Sequence, residues 1–308
     1  MQRRSPENAT ASGRESHKWF TLEGAAFEAK AAPAGLHVVA TPIGNLGDIT
    51  VRALETLAGA DRILCEDTRV TRRLTTHYGI RTPLEAFHEH NAEKLLPKVL
   101  DALAAGAAVA LVSDAGTPLI SDPGYRLVDA ARTAGHAVHA IPGASALTAA
   151  LSVAGLATDA AFFAGFLPQK QGARRARLAE IAAVPGTLVV YEAPHRLVET
   201  LSDMAETLGD RRAAVARELT KKFEEVTRGS FAELIADYAN REAVKGEIVV
   251  LVERAAAAEA SEADVDALLT DALAGASLRD AVAAVTAETG LPRKLVYARA
   301  LALEKERS

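Results

Sequence analysis

Short apolar runs and stretches of helical spacing alternate along most of this chain. Leu36–Thr41, Arg62–Glu66, Leu84–Phe87, Ala107–Val112 and Ala137–Ile141 are runs of strand length. Between them, apolar residues recur at helical spacing over about Ile49–Leu57, over a basic segment carrying Arg69, Arg72 and Arg73, up to about Leu103, and over Tyr125–Ala134. Short apolar runs bounded by turn residues read as buried strands, and the periodic stretches as helices. Strands that alternate with helices predict an α/β fold with a mainly parallel sheet covered on both faces.

Pro142–Ala146 opens a further helix to about Ala154, with Ser145 as its N-cap, and a domain boundary is placed here. The second half changes character. Strands are expected at Ala161–Gly165, Thr187–Glu192, Ala213–Glu218, Glu224–Thr227 and Glu247–Glu253, and helices at Arg174–Ala183, His195–Leu208 and Phe231–Asn240. The consecutive strands Ala213–Glu218 and Glu224–Thr227 predict an antiparallel pair, and hence a mixed sheet. Arg254–Ala263, rich in Ala and Glu, reads as a linker. Beyond it, a helix over Ser277–Thr289 ended by Gly290, then a helix from Pro292 to about Leu303, have the outline of a helix-turn-helix unit. The division is therefore a poorly ordered leader over 1–35, with Trp19 and Phe20 packing somewhere, α/β domains over 36–142 and 143–254, and a linker with a helical pair over 255–308.

Composition narrows the class. Of 308 residues 49% are hydrophobic, enough for a sizeable core, yet no run approaches the length of a membrane span. The single cysteine, Cys65, excludes an internal disulfide and argues against a cysteine-based metal site, and a reducing cytoplasm fits. A net charge of −5 gives no basic character overall, although a local basic face suffices for nucleic acid. Residues 255–308 hold six Lys and Arg against nine Asp and Glu, so the helical pair suits packing or dimerisation at least as well as RNA contact.

Candidate chemistry gathers at strand ends. Ser113–Gly124, S-D-A-G-T-P-L-I-S-D-P-G, follows the Ala107–Val112 strand, and open α/β sheets bind ligands at that edge. Gly116 and Gly124 permit close backbone approach or positive φ. Asp122-Pro123 reads as an N-cap followed by proline at the first helical position, whereas Asp114 has no local duty and is free to accept hydrogen bonds from a ligand. The loops Pro42–Asp48, Glu66–Arg69, His88–Asn91 and Pro142–Ala146 open on the same edge, so five loops converge. The G-x-x-G of the first loop lacks the third glycine of the dinucleotide fingerprint. Glu66 and Asp67 are adjacent carboxylates, although Asp67 also reads as a helix cap, as does Asn91. His88 and His90 face one side in extended chain but find no third ligand, so no metal is expected. In the second half Tyr191–Arg196, Arg217–Lys222 and Lys245–Glu247 bring basic residues to strand ends, where phosphates can be held. Arg174, Arg175 and Arg177, taken alone, read as a solvated face.

Read together, these segments resemble the tetrapyrrole methylase superfamily. More closely they resemble the ribosomal RNA small-subunit methyltransferase I family, the cytidine-2′-O-methyltransferases. The matching stretches are T-P-I-G-N-L-G-D-I-T (41–50), E-D-T-R (66–69), H-E-H-N (88–91) and V-S-D-A-G-T-P-L-I-S-D-P-G (112–124). They continue in order with P-G-A-S-A (142–146), G-F-L-P (165–168), Y-E-A-P-H-R-L (191–197), R-E-L-T-K (217–221) and K-G-E (245–247). The closing helices resemble a small helical domain appended in that family. The resemblance implies S-adenosylmethionine in a cleft between two α/β domains, a homodimer, and 2′-O-methylation of a cytidine in the decoding region of the 16S rRNA of the small ribosomal subunit. It places the cofactor against Gly44 and Asn45, then Asp114, Ala115, Gly116, Thr117 and Pro118, then Ile120, Ser145, Ala146, Phe166 and Tyr191. A ribose hydroxyl is a poor nucleophile, so help with deprotonation is expected from Asp67 or His90, with Glu66 and Lys221 behind them. Arg69, His88, Asn91, Arg217 and Lys245 are the residues expected to hold the RNA. Two rivals stand beside this reading: a relative that methylates a tetrapyrrole or a modified protein side chain, and a non-catalytic ribosome-binding protein. The intact set of cofactor loops argues against the second.

Overall fold

The computed structural model describes residues 18–122, 124–255, 262–289 and 291–307; Pro123, Gly290, residues 1–17 of the expected leader and most of the expected linker lie outside the described residues. Trp19–Leu22 (β1) and Ala25–Glu28 (β2) pair antiparallel around Glu23 and Gly24, both at positive φ. Phe20 and Phe27 stack with ring centroids 5.5 Å apart, and Phe20 is fully buried. This part of the expected leader is therefore a packed hairpin. Strands this short carry too little periodicity to stand out in the sequence.

The first sheet follows from Gly35–Val39 (β3), Val51–Gly59 (α1), Arg62–Cys65 (β4), Thr68–His77 (α2), Leu84–Ala86 (β5), Glu89–Ala104 (α3), Ala108–Val112 (β6), Tyr125–Thr133 (α4) and Val138–Ile141 (β7). Its five strands run in the order β5-β4-β6-β3-β7, every pair parallel. Side chains alternate across a strand, and β6 shows why both faces need cover. Ala110 and Val112 pack with α1, α2 and the hairpin, while Val109 and Leu111 pack with α3 and α4.

Ala146–Ala154 (α5), Ala161–Phe166 (β8), Gln171–Ile181 (α6), Thr187–Glu192 (β9), Leu197–Leu208 (α7), Arg212–Arg217 (β10), Glu225–Ser230 (β11), Phe231–Ala239 (α8) and Ile248–Val252 (β12) build the second sheet, ordered β11-β10-β12-β9-β8. Only β8 and β9 are parallel, so the sheet is mixed, and β10–β11 is the antiparallel pair expected. Helices α6, α7 and α8 cover one face. On the other, α5 packs on Val189, Ala214, Val249 and Leu251, and Ile43 from the loop after β3 joins that cluster. Arg174 departs from the solvated face expected of it. It is 1% exposed, and its Nε donates to Oδ2 of Asp203, itself 0% exposed, at 2.6 Å. Arg175 donates to the other oxygen of Asp203.

The described residues fall into two compact units divided between Glu253 and Arg254. The second unit holds Glu262–Leu273 (α9), Leu278–Thr289 (α10) and Arg293–Arg307 (α11) around Val265, Leu269, Val282, Val285, Val296 and Ala300. It is a three-helix unit rather than a pair, because α9 starts inside the Ala- and Glu-rich stretch expected to be a linker. Among the described residues no helix is long and apolar enough to cross a membrane.

Candidate active site

Specific bonds draw the strand-end loops together. Thr41 and Gly116 exchange backbone hydrogen bonds of 2.8 and 3.1 Å, which ties the loop after β3 to the loop after β6. Thr117 Oγ1 donates to the Ala144 carbonyl at 3.1 Å and adds the loop after β7. The Asp67 amide donates to Asp114 Oδ1 at 3.0 Å and adds the loop after β4. Asp114 therefore has a local duty that its sequence context did not reveal.

Against these loops lies a cavity of about 340 Å³. Ile43, Ala115–Thr117 and Ile120–Asp122 form one wall. The other comes from Ser145 and Ala146, the ends of β8 and β9 at Phe166 and Tyr191, Leu219, and the turn Gly246–Glu247 leading into β12. Gly116 has φ +78°, and a Cβ there would stand 3.2 Å from Ile43 Cγ2, so the loop approaches more closely than a side chain comfortably allows. Phe166, 60% exposed, meets Tyr191 edge-on at 5.7 Å. Ser145 is the N-cap of α5 but spends no side-chain bond on the helix. Three carboxylates, Asp122, Glu192 and Glu247, also line the space. Glu192 is fixed by the Thr200 hydroxyl at 2.5 Å and the Ala193 amide at 2.7 Å.

Apolar and aromatic walls with a few carboxylates suit a flat nucleoside that carries a cationic tail. S-adenosylmethionine has that chemistry, and these residues fit it. Of the positions expected to hold it, Ala115, Gly116, Thr117, Ile120, Ser145, Ala146, Phe166 and Tyr191 line the cavity, whereas Gly44, Asn45, Asp114 and Pro118 do not. Asn45 turns its side chain onto the Gly47 amide at 3.0 Å. Gly44 instead makes room for Lys221, since a Cβ there would fall 2.4 Å from Lys221 Cγ.

The residues expected on the acceptor side stand outside the cavity lining, and most are engaged locally. Asp67 caps α2 through the Arg69 amide at 2.8 Å and pairs with the Arg69 guanidinium at 2.6 Å. The Arg69 side chain, then its backbone amide, hold the Asp67 carboxyl down to about 2, which makes it a weak proton acceptor. Lys221 bonds Glu218 at 2.7 Å and Glu247 at 2.9 Å. Burial works against its charge, but the two carboxylates outweigh that and raise its pKa, so it remains a cation. Asn91 accepts from the His88 amide and donates to the Ala86 carbonyl, a capping role that uses both ends of the amide. Arg217 is taken up by Glu225 and the Lys245 carbonyl, while the Lys245 side chain is exposed. His90 is exposed, 5.9 Å from the His88 ring. Glu66 is half-buried, and burial followed by the Asp114 charge raises its pKa. Among the described residues no group of three or more His, Cys, Asp or Glu is set to hold a metal. The cavity also holds Ser121, Asp122, Glu192, Leu219 and Gly246, which the sequence reading did not assign to the cofactor. Asp122 and Ser121 were within reach of that reading, since they share a strand-end loop with Gly116.

The chain that carries this cavity is a methyltransferase of the tetrapyrrole methylase class. The family model described as Tetrapyrrole (Corrin/Porphyrin) Methylases matches residues 35–235, and that of the RsmI C-terminal HTH domain matches residues 259–304. Solved structures of a cobalt precorrin-4 methyltransferase (TM-score 0.54, 18% identity, 71% of this chain and 94% of that one) and of a diphthine synthase (TM-score 0.54, 15% identity, 71% and 89%) share the fold. In sequence the chain is 52% identical to the ribosomal RNA small subunit methyltransferase I of Mesorhizobium japonicum over 87% of its own length and 92% of that protein. It is 47% identical to the one of Pseudomonas aeruginosa, over 86% and 96%, and 40% identical to the one of Bacillus subtilis, over 88% and 95%. The chain belongs to the ribosomal RNA small subunit methyltransferase I family, whose members are S-adenosylmethionine-dependent.

Proposed function

We propose that this chain, working as a homodimer, transfers the methyl group of S-adenosylmethionine to the 2′-oxygen of a cytidine ribose in the decoding region of 16S rRNA. The observation that carries the acceptor class is the near full-length likeness, close to half identical, to proteins named for small-subunit rRNA. The finer points, cytidine and the 2′-oxygen, follow from the motif resemblance. Bound in the cavity, S-adenosylmethionine supplies a methyl group activated by its sulfonium. Ile43, Ile120 and the Phe166–Tyr191 pair would hold the nucleoside, with the acceptor aligned for in-line displacement.

Beside the cavity-bearing edge, α2 presents an exposed basic face. Arg69, Arg72, Arg73, Thr76 and His77 border a shallow depression of about 590 Å³ on it. Such a face suits RNA phosphates. Replacing Arg72 and Arg73 together by alanine is expected to flatten the salt dependence of RNA binding by roughly 1.5 in the log–log slope, as loss of two phosphate contacts does. Affinity for S-adenosylmethionine should stay as it was. Filter binding across a salt series and calorimetry check the two halves of that statement, and an unaltered slope removes α2 from the RNA interface. The reading as a whole is tested by tritiated methyl transfer to small subunits, free 16S rRNA and a tetrapyrrole side by side. Label should enter the RNA-containing acceptors only, and label in the tetrapyrrole would favour the rival.

A further inference from the structure

We infer that Asp122, on the loop between β6 and α4, is the carboxylate that takes the proton from the attacking ribose hydroxyl; this deepens the 2′-O-methyl transfer proposed above and rests on it. Asp122 lines the cavity, unlike Asp67, Glu66 and His90. It is also free of the capping role its Asp-Pro context suggested, because α4 starts at Tyr125 with Gly124, at φ +130°, as its N-cap. The path of the loop is built to deliver it. Leu119 and Ser121 lie at φ +73° and +67°, left-handed values that residues other than glycine hold only where their surroundings enforce them. Ser121 is pressed against the second sheet, where a Cβ on Gly165 would come within 3.1 Å of its Oγ. The β8–β9 register shifts at that point, between Phe163 and Gly165. Strand and loop are thus shaped around each other, and the residue after Ser121 is placed in the cavity.

The surroundings of Asp122 suit proton transfer. The charged or titratable groups around it are Glu66 at the end of β4, Asp114 on its own loop and Tyr191 at the end of β9, with Glu192 and Glu247 on the far wall. Burial first, then the Glu66 and Asp114 charges, push its carboxyl up to about 6 against the pull of the Ser113 hydroxyl. A group in that range is ionised at neutral pH yet basic enough to accept a proton. Asp67, held at about 2, is not. In the transfer, Asp122 takes the hydroxyl proton as the new O–CH₃ bond forms. The electron pair of the broken S–CH₃ bond stays on sulfur, which leaves as a neutral thioether. A nearby cationic sulfonium lowers the Asp122 pKa, so the acid limb of the reaction should lie at or below about pH 6.

The test is Asp122→Asn, which keeps the shape and removes the base. Four readouts are needed. Single-turnover methylation of small subunits should fall by roughly 10²-fold or more, and the acid limb of the pH–rate profile should vanish. Calorimetric affinity for S-adenosylmethionine should fall by no more than about tenfold, because the carboxylate that the sulfonium makes more acidic attracts the sulfonium in return. Thermal stability provides a readout independent of turnover. A carboxyl raised from 3.8 to about 6 costs the fold nothing below pH 3.8, and the cost grows until it is complete above pH 6. The variant should therefore melt several degrees higher than the wild type at pH 8 and no higher at pH 3.5, which also certifies that it folds. A variant that methylates at the wild-type rate overturns the assignment. So does one whose cofactor affinity falls as steeply as its rate, which would make Asp122 a cofactor ligand. A wild-type chain that leaves 2′-oxygens unmethylated overturns the functional reading, and the base with it; an active wild type beside an active variant overturns the base alone.

Discussion

Replacing Asp203 by alanine is expected to cost about 3–5 kcal/mol of folding stability, because it strands a buried guanidinium. Arg174 is 1% exposed and donates to Asp203 Oδ2 at 2.6 Å, while Arg175 and Gln171 share the other oxygen. Burial pushes the Asp203 carboxyl up, but hydrogen bonds from Arg175, Arg174 and Gln171 outweigh it and leave the group below its usual range. The pair therefore contributes stability above the ordinary carboxylate range and loses it as pH falls through the depressed value. Removal of the carboxylate leaves Arg174 with the Gln169 carbonyl and a 3.5 Å approach to the exposed Glu199. Urea unfolding at neutral pH reads the loss as a lower midpoint at constant m-value. Asp203→Asn, which retains hydrogen-bond acceptors, should lose less. An alanine variant within 1 kcal/mol of wild type, roughly the worth of an exposed ion pair, would mean that this one acts as a surface pair.

Gly246→Ala should damage the cofactor cavity from its rim. Gly246 lines the cavity at φ +96°, and a Cβ there would sit 2.4 Å from Glu218 Cγ, Cδ and Oε1. Glu218 cannot easily yield. It is at φ +52°, its amide donates to the Glu247 carbonyl, and its carboxylate accepts from Lys221 and from the Glu247 amide. Alanine therefore meets both an unfavourable backbone and a clash, worth roughly 1–3 kcal/mol. Relief of the clash moves the Gly246–Glu247 turn or frees Lys221, which packs across Gly44. Affinity for S-adenosylmethionine should fall on the order of tenfold, about 1.4 kcal/mol. Calorimetry decides the matter, and undiminished binding would show that the turn is no part of the cofactor's seat.

What the sequence made legible and what it hid have physical causes. β6 was readable because all five of its residues, Ala108–Val112, are buried, so an unbroken apolar run marks the strand. The gathering of loops was readable because parallel strands put their carboxyl ends on one edge. Arg174 was misread because its partner lies 29 residues away on another helix, and no local pattern reports that pairing. Asp122 was misread for a subtler reason. Asp-Pro-Gly before a helical stretch looks like a cap, and the aspartate reaches the cavity through left-handed turns at Leu119 and Ser121, two non-glycine residues whose positive φ no local pattern announces. Asp67 shows the converse. Its two local roles were both visible, and the bond to the Arg69 amide favours the cap.

The central claim, methyl transfer from S-adenosylmethionine to a ribose oxygen of small-subunit rRNA, is tested most directly by the identity of the product. Small subunits that lack methylation in the decoding region are incubated with the chain and S-adenosylmethionine bearing a trideuteriomethyl group, and the 16S rRNA is digested to nucleosides for mass spectrometry. The label should appear in 2′-O-methylcytidine, in amounts stoichiometric with the subunits. Label in a base-methylated nucleoside, or no label in the RNA while the chain binds S-adenosylmethionine normally, would contradict the account.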